Sequence, residues 1–118
     1  MAVFEVESWV VAEGKEAEHD VEMRRWLNWV KTHRQLFPEW KSLRYFVKHV
    51  AGTDSGRHVV MWEYDSLQAY ETYKARRKDY TGPYAEYKLN DPYYKGVFNH
   101  GTMGLEFWKD MQRDLWID

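Results

Sequence analysis

Two sets of side chains in this 118-residue sequence have types and spacings that could do chemistry. The first is aromatic. Trp26, Val30 and His33 fall on one stripe of a helical period. Tyr45, Trp62, Tyr64 and Phe107 occupy one face of strand-like runs, and Tyr73 one side of a second helical run. Drawn together, they would line a cavity for a flat organic ligand, with one imidazole and several phenols among its walls. His33 is the expected base there, because an ordinary imidazole titrates at about 6.5. The competing reading is a filled aromatic core with satisfied polar tips.

The second set is acidic. Glu5, Glu7, Glu63 and Glu106 are expected on the opposite sheet face, with Arg44 and Lys48 beside them. Four carboxylates on one face could hold a divalent cation or move protons. Paired with the two cations, they would instead be ion pairs at an interface. The histidines have no ligand spacing, and no Ser-His-Asp set, phosphate loop or zinc motif occurs, so no metal or other cofactor is expected.

Alternation and period place these groups on elements. Ala2 to Val11 alternates as a strand. Phe4, Val6, Ser8 and Val10 are expected beneath the helices, and Glu5, Glu7 and Trp9 on the open face. From Gly14 to Leu36 the period becomes helical, with His19, Met23, Trp26, Leu27, Val30, His33 and Phe37 on one stripe and Pro38 ending it. Lys41 to Val50 and Arg57 to Tyr64 are strands joined by the turn cluster 51–56. Ser66 caps a helix over Leu67 to Lys78, whose basic end, Arg76 to Lys78, is expected in solvent. A short helix follows Pro83 and stops near Asp91, and a last strand begins after Gly101.

The length favours one domain covering 1–118. The order strand, helix, strand, strand, helix, strand folds by two right-handed crossovers into a ferredoxin-like α+β unit. That unit is a four-stranded antiparallel sheet with its helices on one face. The open face then holds Phe46, Met61, Trp9 and Trp108 among its charges, and a half-apolar face of this kind meets another surface. A homodimer through that face is expected, with Leu115, Trp116 and Ile117 latching onto the partner.

The chain resembles the dimeric α+β barrel superfamily, which includes NIPSNAP-like proteins, antibiotic-biosynthesis monooxygenases and haem-degrading monooxygenases. The resemblance runs through the element order of nearly the whole chain. It is most specific at Val59-Val60-Met61-Trp62-Glu63-Tyr64-Asp65-Ser66-Leu67-Gln68-Ala69. It implies two sheets closing into a barrel and one sheet–helix pocket per subunit. Cofactor-free monooxygenases of that group surround the substrate with an Asn, a Trp and a further polar aromatic residue. Trp62 resembles that Trp and is the second catalytic candidate, whereas the first strand offers Glu5, Glu7 and Ser8 and no Asn. The haem-degrading members use a His on the helix after the third strand, and Leu67 to Lys78 has none. The function expected is binding, or cofactor-independent oxygenation, of an aromatic organic molecule. The alternative is a non-catalytic dimeric scaffold or ligand sensor.

A formal net charge of −2 argues against broad attraction to nucleic acid or an anionic membrane. An RNA-recognition domain would share the element order. Arg57 to Tyr64 lacks the basic, Gly- and Phe-containing third strand such domains use. Absence of cysteine rules out disulfides and thiolate chemistry, and no apolar run approaches the roughly 20 residues of a membrane span. With no signal-like start, a cytoplasmic location is expected.

Overall fold

The computed structural model describes residues 1–118, apart from the side chain of Arg113. Four strands, β1 (Val3–Val11), β2 (Ser42–Val47), β3 (His58–Tyr64) and β4 (Phe98–Lys109), form one sheet in the order β2-β3-β1-β4. All three pairings are antiparallel. Helices α1 (Glu16–Thr32), α2 (Leu67–Arg76) and α3 (Tyr84–Asn90) complete the α+β unit. β4 begins at Phe98 rather than after Gly101. Its early part pairs with the end of β1, Val11 opposite Phe98, so the residues 98–101 extend the ladder.

The corner between β3 and α2 follows its sequence closely. Tyr64 ends the strand, and Ser66 Oγ accepts the Ala69 N–H at 3.1 Å, satisfying one of the free donors of the first helical turn. α1 ends earlier than its apolar stripe does. Thr32 closes the α-helix and Arg34–Leu36 is a tighter 3-10 turn. That change of pitch turns His33 away from the stripe that buries His19, Met23, Trp26 and Val30.

The facing of β1 is the main departure from the sequence reading. Residues directly opposite in an antiparallel ladder share a face. Val3, Glu5, Glu7 and Trp9 lie opposite Tyr64, Trp62, Val60 and His58, the inward residues of β3. The odd-numbered positions therefore point toward this chain's own helices, and Phe4, Val6 and Ser8 point away. The acidic set is split accordingly. Glu5 and Glu7 are inside, while Glu63 lies opposite Phe4 and Glu106 opposite Val6 on the outer face. Trp9 is fully buried, stacked on Phe98 with centroids 4.1 Å apart.

The register of β1 against β4 shifts between Ser8 and Val10, and Arg57 ties this irregularity together. Its Nε donates to Ser8 Oγ at 2.9 Å, and its Nη2 to the carbonyls of Ser8 and Thr102. Gly104 leaves room for the guanidinium: a Cβ there would come within 3.4 Å of Arg57 Nη2 and 3.2 Å of Ser8 Oγ. Between α2 and α3 the chain reverses through two consecutive non-glycine residues at positive φ, Asp79 at 63° and Tyr80 at 50°. Such residues hold a sparsely populated conformation only where the surroundings fix it. The Tyr80 ring is held by Arg77, 4.9 Å above its centroid, and by a hydroxyl contact with Tyr94 at 3.1 Å.

Candidate functional site

The inward carboxylates of β1 enter a cavity of about 320 Å³ between the sheet and the helices. Glu5, Glu7 and Trp9 form its floor, with Val60, Trp62 and Tyr64 of β3 beside them. Met23 and Trp26 of α1 and Trp40, from the turn before β2, make one wall. Tyr73 and Lys74 of α2, with Arg77 just past its end, make another. Tyr80, Tyr87, Asp91 and Tyr94 close the site from the α3 region.

Each aromatic wall is fixed by its neighbours. Trp26 Nε1 donates to the Tyr87 hydroxyl at 3.3 Å. Trp40 stacks on fully buried Phe37 at 4.2 Å and meets Trp62 and Tyr73 edge-on at 6.0 and 5.3 Å. Edge-to-face pairs of this kind add to the stability that burial supplies and hold each ring in one orientation. Nearby, the carboxylate of Glu39 pairs with Arg76, whose Nη1 also reaches the Tyr84 hydroxyl at 3.5 Å. The basic end of α2 is thus divided: Arg76 ties to Glu39, and Arg77 turns inward rather than into solvent, over the Tyr73 ring at 5.5 Å.

The acids in this enclosure hold their protons more tightly than usual. Glu7 is pushed up to about 7, first by burial and then by repulsion from Glu5 and Asp91; Lys74 and Arg77 only partly offset this. Burial also raises Glu5, against the pull of Lys74 and of the Tyr64 hydroxyl, which donates to Glu5 Oε1 at 3.3 Å. Asp91 is raised by burial although its Oδ1 accepts the Tyr93 N–H at 2.9 Å. Lys74 is lowered, again chiefly by burial. The site therefore combines a carboxyl that exchanges its proton near neutrality with two cations and a mainly aromatic wall. That is the equipment for removing a weakly acidic proton and stabilising the anion left behind. Among the described residues, no group of three or more His, Asp or Glu is placed to hold a metal ion.

Of the residues singled out from the sequence, Trp26, Trp62, Tyr64 and Tyr73 meet at this cavity. His33, Tyr45 and Phe107 are not among its lining residues. His33 stacks on Trp29 at 3.8 Å, with Nδ1 2.7 Å from the Trp29 carbonyl. Tyr45 bonds His58 Nδ1 at 2.6 Å in a cluster with His19 and Trp9, of which only Trp9 lines the cavity. Phe107 lies opposite Glu5 on β4 but is 42% exposed, meeting Tyr70 edge to face at 4.9 Å. The charged groups that sequence reasoning did not place here are Glu5, Glu7, Lys74, Arg77 and Asp91, and it sent Trp9 to the opposite face. One signal was available: Tyr70, Tyr73, Lys74 and Arg77 follow three- and four-residue spacing and so share a helix face.

No family model and no curated protein matches the sequence. Solved structures do. A NIPSNAP family protein from Agrobacterium tumefaciens matches with a TM-score of 0.68 at 14% identity, covering 96% of this chain and 96% of that one. This is the ferredoxin-like fold. A protein provisionally named as an antibiotic biosynthesis monooxygenase, from Caulobacter crescentus, shares it with a TM-score of 0.61 at 16% identity, over 94% of this chain and 91% of that one. So does a dimeric protein of unknown function from Bacteroides fragilis, with a TM-score of 0.61 at 9% identity, over 92% and 96%. These are the kinds of protein the Val59–Ala69 stretch resembles, and at such identities the likeness is one of fold. No helix of the ferredoxin-like unit is long and apolar enough to cross a membrane.

Proposed function

We propose that this protein binds a flat aromatic organic molecule in the sheet–helix cavity and acts on it as a cofactor-independent monooxygenase, with Glu7 as the base. The observation that carries the reading is a carboxyl with a pKa of about 7 facing an aromatic cavity of about 320 Å³. A cavity of that size lies at the lower end of small-ligand sites and suits one or two fused rings. Glu7 accepts the phenolic proton. The electron-rich phenolate then reduces dioxygen. One oxygen forms a bond to a ring carbon, which becomes a carbonyl, and the other leaves as water with the displaced ring hydrogen and the phenolic proton. Lys74 and Arg77 favour the anionic stages, and the aromatic walls exclude water. Trp62 holds the ring plane. Likeness in fold to a protein named as a monooxygenase supports the reaction class.

The test is dioxygen uptake with 1-naphthol, followed by product analysis. The reading expects one naphthoquinone and one water per dioxygen consumed. Turnover equal to that in buffer would refute it.

The outer sheet face supports a homodimer. Phe46 is 46% and Trp108 47% exposed there, and Leu115 and Ile117 project from the C-terminal tail. Two copies joined through these surfaces bury apolar area that one chain leaves in water. Sedimentation at micromolar concentration is expected to give a dimer, and Phe46→Glu with Trp108→Glu a folded monomer. A wild-type monomer would contradict the assembly.

A further inference from the structure

We propose that the ligand of this cavity carries a carboxylate, held by Arg77 and the Trp62 indole N–H, so that the natural substrate is a phenolic aromatic carboxylic acid. The inference rests on the small-molecule reading above and adds a chemical class to it.

Its basis is a set of buried donors without acceptors. Trp62 is 8% exposed and lines the cavity, and its indole N–H lacks a partner. Arg77 Nε is likewise buried and unpartnered. The great majority of buried N–H groups in folded proteins find an acceptor, so two orphan donors on one cavity mark a place where a ligand supplies it.

Charge sharpens the class. Among the described residues neither Lys74 nor Arg77 forms a salt bridge, although both face the Glu5, Glu7 and Asp91 carboxyls. Neither cation is therefore committed to one carboxyl by a direct contact. Arg77 is in addition held over the Tyr73 and Tyr80 rings, at 5.5 and 4.9 Å, so its planar fork is already oriented. A pre-oriented guanidinium with an indole donor nearby suits a carboxylate, which accepts two or more hydrogen bonds at once. A neutral hydroxyl answers none of the charge.

The discriminating experiment is calorimetric titration of the full chain with 2-naphthoate and with 2-naphthalenemethanol, which share a ring system and differ in charge. The carboxylate is expected to bind about tenfold tighter or more. Arg77→Gln is expected to shrink that preference to about twofold or less. The preference between probes on the wild-type protein is informative even if the variant does not fold. An alcohol that binds as well as the carboxylate would overturn this inference and leave the small-molecule reading standing. Two probes that both fail to bind at millimolar concentration would overturn both.

Discussion

Glu7→Gln will cut turnover sharply and, at the same time, make the protein more stable at pH 8. Loss of a positioned general base costs about 10²- to 10⁴-fold in rate. The stability effect follows from linkage. The Glu7 carboxyl titrates near 7 when folded, against an ordinary value of 4.5. A raised acid binds its proton more tightly in the folded state. Its favourable contribution is therefore complete below pH 4.5 and is lost as pH rises through 7. Above that, the chain must fold with a buried anion beside Glu5 and Asp91. Glutamine carries no such charge. The stability gap between variant and wild type should widen in favour of Gln by about 2–3 kcal/mol from pH 4 to pH 8, at about 1.4 kcal/mol per pKa unit less some solvent screening. Chemical denaturation at the two pH values measures it. A gap that does not change with pH would remove Glu7 from the buried site.

The second large effect has the opposite sign. His19 is 2% exposed, and its Nε2 accepts the Trp9 indole N–H at 2.9 Å. Burial, reinforced by His58 4.5 Å away between centroids, lowers its pKa to about 4, while Asp20 pulls weakly the other way. A protonated ring would turn its own N–H against the Trp9 N–H. Stability from neutral His19 is therefore complete above pH 6.5 and is lost as pH falls toward 4. His19→Gln keeps an acceptor without a titrating group. Wild type should lose about 2–3 kcal/mol more than this variant between pH 7 and pH 4. Because His19 and Glu7 oppose each other over that range, the wild-type curve alone shows neither contribution. The differences against the two variants separate the contributions. Equal acid sensitivity of wild type and His19→Gln would contradict a neutral, buried His19.

The sequence carried most of the fold and, of the cavity, the aromatic walls Trp26, Trp62, Tyr64 and Tyr73. Strand β3 and the capped start of α2 were legible because alternation, aromatic content and Ser66 all point the same way. The buried stripe of α1 was legible from its period through Val30, and misled at His33 because a change of helical pitch leaves no mark in residue type. β1 was not legible in its facing. Both of its faces are partly apolar, with Phe4, Val6 and Val10 on one and Val3, Trp9 and Val11 on the other. Pattern reading sends charges outward. Here Glu5 and Glu7 go inward, which costs desolvation, and local departures of this sort gather where a protein acts. Arg77 was misread for a related reason: a basic helix end usually lies in water, and only the tertiary arrangement of Tyr73 and Tyr80 makes it a wall of the cavity.

Carboxyl-¹³C NMR titration of Glu7, assigned by its disappearance in Glu7→Gln, tests most directly whether β1 turns its acids inward. A midpoint near 7 is expected. A midpoint near 4.5, the value of an ordinary glutamate, would return Glu7 to solvent and dissolve the proposed site with it.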